Sequence, residues 1–311
     1  MRRSALLFVA IGLAIYAGLF YASERLVYAT GKSNALFKIA TAEEVTVDWV
    51  ILGASHAMPL DFADFNAFME RETGQRILNL ASPGTGPLYN RFVLEHFLSR
   101  HRARNLLYVI DSFAFYSPVW NEERFADAKL LRRTPLDADI AQRLFAYSRQ
   151  EHVDPRALLD YASGFSKINN RERFEPDIWE GEAQFERVYR PSAAATRSRI
   201  AYLYPQPPDP AARSRYLEAF KALIVLARQH DIRVVAIKMP VPSQFLDRLP
   251  DETAFDAAMS QLLANQQVAF HDFARVLDDP RFYFDTDHLN HAGLTELFNG
   301  HLKAVLEQKH P

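Results

Sequence analysis

A serine oxygen attacks a carbonyl carbon when a base takes its proton. Histidine does this best when a carboxylate fixes its ring tautomer. The 311-residue chain carries residues of these types at suggestive places. Gly53-Ala54-Ser55-His56 follows a short apolar run, and Asp285-Thr286-Asp287-His288 precedes the last helical stretch. Asp285 and His288 stand three residues apart, close enough to meet within one loop. A third segment, Asn79-Leu80-Ala81-Ser82-Pro83-Gly84-Thr85, holds a glycine that can present a bare backbone N–H to an anion. The chemistry these types suggest is acyl transfer. Ser55 is the candidate nucleophile, His288 the base and Asp285 its orienter. Each residue also has a plainer role: Ser55 as a helix cap, Gly84 as a turn residue with positive φ, Asp285 and His288 as a capping loop.

The surrounding pattern says what must position them. Val45–Leu52, Arg76–Leu80, Leu106–Ile110, Arg233–Lys238 and Val268–His271 read as five short strands. Between and after them, Asp61–Thr73, Pro87–Arg100, Ala211–His230 and Ala292–Gln308 have helical spacing. Strands alternating with helices predict an α/β fold, a mostly parallel five-stranded sheet covered on both faces. In such sheets ligands bind at the carboxyl ends of strands, and the candidate residues follow strand ends. Tyr116 to Pro210 forms a long insertion between strands three and four, with helices expected near Asp137–Ser148 and Pro155–Phe165. The Pro-rich stretch Tyr204–Pro210 reads as an extended connector. The insertion's Tyr161, Phe165, Phe174, Trp179, Phe185, Tyr189 and Tyr202 are core residues or sugar-stacking surfaces.

Ser4 to Ser23 contains no charged residue. As a helix it spans roughly 30 Å, the thickness of a bilayer core. Arg2 and Arg3 precede it; Glu24 and Arg25 follow. The positive-inside rule then leaves the N-terminus in the cytosol and the remainder outside. A cleaved secretory signal is the rival, although its apolar region is usually about 7–15 residues. The expected organisation is an anchor and stalk over residues 1–32 and one exported domain over 33–311, with its insertion at about 116–210. That places the chain in the cytoplasmic membrane as a single-pass protein.

Composition narrows the classes. The chain is 49% hydrophobic and 24% charged, which argues against disorder. A net charge of −2 gives no nucleic-acid footprint, and the absence of cysteine removes thiolate metal sites and a Cys nucleophile. Asp285, Asp287, His288 and His291, with His56 and Asp111 from other strand ends, suit zinc or manganese by type, but most lie in one short stretch. No metal or cofactor is called for. Gly53-Ala54-Ser55-His56-Ala57 is nearly a G-x-S-x-G elbow, yet that fold separates its acid from its histidine.

Taken together, these residues resemble the SGNH, or GDSL-like, hydrolase family. Gly53-Ala54-Ser55 matches its nucleophile motif, Gly84 its oxyanion glycine, and Asp285-x-x-His288 followed by Asn290 and Gly293 its catalytic pair. The resemblance covers roughly residues 45–113 and 230–308 and implies a three-layer α/β/α sandwich. The family also places an Asn after strand three to complete the oxyanion hole. Here that stretch reads Asp111-Ser112-Phe113-Ala114-Phe115. Ser112 or Asn79 is the expected substitute. Membrane-anchored branches of the family, in exopolysaccharide O-acetylation and teichoic-acid D-alanylation, work beside a membrane-bound O-acyltransferase. The resemblance therefore implies an extracytoplasmic serine esterase or O-acyltransferase acting on acyl groups of an envelope or exopolysaccharide glycan. The alternative is a catalytically weak scaffold that binds glycan or an acyltransferase partner.

Overall fold

The computed structural model describes residues 2–43 and 45–308. Residues 309–311, the end of the expected domain, lie outside the described residues. In chain order the elements are α1 (Arg2–Thr30), α2 (Ala35–Thr41), β1 (Thr46–Leu52), α3 (Phe65–Thr73), β2 (Ile77–Asn79), α4 (Pro87–Leu98) and β3 (Arg102–Val109). The insertion adds α5 (Ala128–Leu131), α6 (Ala138–Gln150), α7 (Pro155–Ser163), α8 (Phe165–Ile168) and α9 (Ala193–Leu203). Then come α10 (Pro210–Gln229), β4 (Arg233–Lys238), α11 (Ser243–Leu246), α12 (Glu252–Asn265), β5 (Ala269–Asp272), α13 (His291–Leu297) and α14 (Lys303–Glu307). They divide into two compact units: Met1–Thr41 with Phe125–Ile178, and Ala42–Arg124 with Trp179–Pro311. The first unit joins the N-terminal apolar segment, expected as an anchor and stalk over residues 1–32, to the middle of the insertion.

The second unit is an all-parallel sheet in the order β2-β1-β3-β4-β5. Successive strand side chains point to opposite faces, and the sequence fills both. Trp49, Ile51, Leu107, Val109, Val235 and Ile237 share one buried cluster with Phe65 and Met69 of α3 and Leu294 and Leu297 of α13. On the other face Tyr108 meets Phe220 of α10 at 4.4 Å between ring centroids. Helices cover both faces, giving the α/β sandwich expected.

Some boundaries differ. β3 begins at Arg102, four residues before its apolar run, because Arg102 to Asn105 pair with β1 at the sheet's polar lower end. The predicted helix over Asp61–Thr73 resolves into a 3-10 turn over Ser55–Asp61 and then α3, with Pro59 inside the turn. The C-terminal helix carries a π turn at Phe298–Leu302 between α13 and α14.

In the first unit α1 is long and apolar enough to cross a membrane. Leu6, Phe8 and Leu13 in its first half are exposed. Its second half lays one face against the insertion: Ser23 and Val27 are buried, while Leu19, Tyr21 and Tyr28 stay exposed. Tyr16 donates its hydroxyl proton to the Ser163 carbonyl at 3.0 Å, and the buried Lys167 pairs with Glu24. Further along, Arg133 donates to Thr30 Oγ1 at 2.6 Å, and the Asp177 N–H donates to the Thr30 carbonyl at 2.8 Å. Asp137 caps α6 by accepting from the Asp139 N–H. α7 ends at Gly164, whose φ of +67° suits a left-handed helix stop.

Candidate active site

β1 delivers the serine. Gly53 has φ +149°, and a Cβ there would come within 2.9 Å of the Val109 carbonyl oxygen and Cβ. Only a glycine lets the chain leave β1 this close to the end of β3. Ser55 then opens the 3-10 turn, with 5% of its surface exposed. The loop after β2 is tied to the same point: Thr85 Oγ1 donates to the Gly53 carbonyl at 3.0 Å and the Ser82 N–H donates to it at 3.3 Å. Within that loop Gly84 has φ +62°, and a Cβ would strike the Trp120 ring at 2.7 Å.

The loop after β5 brings the histidine. His288 Nε2 lies 2.9 Å from Ser55 Oγ, and His288 Nδ1 lies 2.9 Å from Asp285 Oδ2. Asp285 Oδ1 also accepts the backbone N–H of His288 at 2.8 Å and of Asp287 at 3.1 Å. Burial works to raise the Asp285 carboxyl, but His288 and the Asp287 N–H outweigh it and hold it below the usual range. The imidazole is wedged by rings: Phe284 stacks on it at 5.5 Å, and Trp179 meets it at 5.4 Å. Asn290 Oδ1 caps α13 through the Gly293 N–H at 2.9 Å, which fixes the end of the loop.

A second buried network lies against the first. His56, next to Ser55, has its ring 4.7 Å from that of His288. Its Nδ1 bonds Asp111 and its Nε2 reaches Asp287 Oδ2 at 3.2 Å. Burial alone would lower the His56 pKa, but Asp111 and Asp287 overcome it and raise the pKa to about 10. His56 is therefore an imidazolium at neutral pH, with both nitrogens donating to carboxylates. Asp287 has no exposed surface, and Arg199 of α9 donates from Nε to both of its oxygens at 3.0 and 2.9 Å. Burial pushes Asp287 up, yet Arg199, His288 and His56 hold it well below the carboxylate range. Arg199 Nη2 stands 3.5 Å from His288 Nε2, so the guanidinium and Ser55 Oγ approach the same nitrogen.

The remaining candidates fall elsewhere. Asn79 is committed on both sides of its amide, donating to the Ala57 carbonyl at 2.8 Å and accepting from the Ala81 N–H at 2.9 Å. Ser112 gives its proton to Glu252 at 2.5 Å and sits 2.8 Å from the Tyr204 hydroxyl. Both side chains expected to replace the strand-three Asn are thus engaged with partners of their own. His291 is exposed and pairs with Glu186 at 3.2 Å. Of the insertion's aromatics, Tyr161, Phe185 and Tyr189 are buried, Trp179 lies on His288, and Tyr202 lies under Arg199 at 5.5 Å. A cavity of about 920 Å³ between Lys238, Asp251, Glu252, Asp256 and Arg275 contains none of Ser55, Asp285 and His288. Volume alone does not locate this chemistry.

His56, Asp287 and His288 offer three atoms within 4.8 Å of one another, close enough to hold a metal ion. Their donors are already engaged, and the cationic Arg199 and His56 repel a second cation. Sequence reasoning placed His56 as a polar loop residue and left Asp111 undecided; it missed Arg199. No short motif marks Arg199, one of 36 basic residues, so only the fold of α9 could find it.

No protein-family model matches the chain, and no curated protein matches it. Among solved structures the chain is similar to one described as a "putative acylhydrolase" from Bacteroides fragilis NCTC 9343. The two are 9% identical, with 86% of this chain and 94% of that one covered, at a TM-score of 0.40.

Proposed function

We propose that the protein is a membrane-anchored serine esterase or O-acyltransferase of the SGNH kind. Its substrate is an acyl ester, chiefly acetyl, of an extracytoplasmic envelope or exopolysaccharide glycan. The observation that carries this reading is His288, bonded through Nε2 to Ser55 Oγ and through Nδ1 to Asp285. Ser55 Oγ attacks the acyl carbonyl while His288 Nε2 takes its proton. Asp285 keeps the Nδ1 proton in place and stabilises the imidazolium as it forms. The tetrahedral intermediate collapses, His288 protonates the departing oxygen, and the acyl group stays on Ser55. A water or a sugar hydroxyl then attacks the acyl carbon, giving its proton to His288, and Ser55 is released.

The N–H groups of Ser55 and Gly84 serve the oxyanion. Arg199 supplies the missing third contribution. Its guanidinium is anchored by a buried carboxylate and stands beside the nitrogen that handles the proton. Preorganised charge of this kind acts strongly in a water-poor site. Arg2 and Arg3 before the apolar span support an inside N-terminus, so the sheet unit faces the outer side. A membrane-bound O-acyltransferase is the partner this reading calls for.

The test is release of p-nitrophenol from p-nitrophenyl acetate by the full chain in detergent. Ser55→Ala and His288→Ala are each expected to fall to background while remaining folded. Wild type at background would overturn the reading. The second reading, a scaffold for glycan or an acyltransferase, draws on the engaged side chains of Ser112 and Asn79. It requires that a fluorophosphonate probe leave Ser55 unlabelled in the folded protein.

A further inference from the structure

Point contacts between α1 and the insertion tie parts of the insertion to stated levels along the helix. The uncharged run Ser4–Ser23 ends at Glu24 and Arg25. In a bilayer the outer edge of the hydrocarbon therefore falls near Glu24. The corner between α7 and α8 meets α1 below that edge. Tyr16 bonds the Ser163 carbonyl, and a Cβ on Gly164 would lie 2.2 Å from the Phe20 ring. Phe20 precedes Glu24 by four residues, so the corner sits about 6 Å inside the edge at about 1.5 Å per residue. Glu24, at the edge, is satisfied by Lys167 and by the Leu136 N–H at 2.6 Å. Beside the exposed Ala162, Ser163 and Asn169, this corner turns two large apolar side chains outward: Phe165 is 60% exposed and Leu159 is 67% exposed. A different part of the insertion is held higher. Thr30 Oγ1 donates to the Arg173 carbonyl at 3.3 Å, which puts Phe174, 73% exposed, about 15 Å above the level of Phe20.

The geometry points to a second membrane contact: the α7–α8 corner, with Phe165 and Leu159 foremost, is immersed in the outer leaflet beside α1. The occupant of this apolar surface is lipid, because the surface continues the apolar span at the same depth. The inference rests on the membrane-anchored reading above. It makes the first unit a wedge seated in the leaflet.

The chain has no cysteine, so single substitutions give uniquely placed labels. Phe165→Cys, Phe174→Cys and Leu13→Cys, each carrying a bimane label on the full chain, are reconstituted in phosphatidylethanolamine–phosphatidylglycerol vesicles. Lipids spin-labelled at acyl carbon 5 and aqueous iodide serve as quenchers. The label at 165 is expected to be quenched by the lipid and at least threefold less by iodide than the label at 174. The label at 13 is expected to be closed to iodide. Equal iodide quenching at 165 and 174, with 13 still closed, overturns the inference and leaves the anchor standing. A label at 165 shielded from both quenchers marks a protein occupant and overturns it too. Iodide access at 13 removes the anchor itself, and the inference with it.

Discussion

Arg199 and His56 carry the positive charge of a site whose three carboxylates, Asp111, Asp285 and Asp287, lie within two adjoining networks. Arg199→Ala removes the guanidinium beside His288 and is expected to lower kcat by about 10²–10³. Arg199→Lys is expected to recover little, because an ammonium cannot serve both oxygens of Asp287 in the same plane. Steady-state kinetics read alongside the thermal midpoint separate this loss from unfolding. His56 gives a pH signature. Its folded pKa of about 10 stands above the 6.5 usual for an imidazole, so folding favours the protonated form. That stabilisation is complete below about pH 6.5 and declines as pH rises toward 10. Denaturant midpoints of the wild type should fall across this window, and those of His56→Gln should be flatter. Asp287 acts at the other end: its depressed pKa adds stability above about pH 4 that is lost on acidification. The residues with a mechanistic spacing, Ser55, Asp285 and His288, were legible in the sequence because one loop must hold the pair and one turn the serine. Asp111, Asp287 and Arg199 come from separate elements and have no fixed spacing, so the charges around His56 were not.

At the scale of elements, tight approach decides where glycine stands. Gly84→Ala combines a positive φ with a collision against Trp120. It should cost about 1–3 kcal/mol, measurable by urea unfolding, and should displace the loop after β2. All five strands were readable from apolar runs, since parallel strands are buried on both faces. Their ends were not. Arg102 to Asn105 look like loop by hydropathy but pair with β1 through backbone bonds that no side chain advertises. The helix read from Asp61 starts only at Phe65, because Phe62 continues the apolar spacing of Phe65 and Met69 although its backbone is extended.

At the scale of the molecule, the first unit is built from two stretches of chain. Residues 125–178 pack against one face of the second half of α1, and Lys167 and Arg133 draw partners from Glu24 and Thr30. A chain lacking residues 1–32 loses these partners and exposes a buried lysine. Limited proteolysis is expected to cut such a chain first between residues 125 and 178, while the full chain resists there. Assays of a chain without residues 1–32 therefore report on an altered first unit.

The same pairing sets a clock on biogenesis. Glu24 and Lys167 are 143 residues apart in the chain. At about 5–20 residues per second, ribosomes need roughly 7–29 s to make the second after the first. Through that interval the second half of α1 waits with one face uncovered. A surface that shelters Tyr16 to Thr30 for those seconds would decide how much of the newly made chain reaches its folded state.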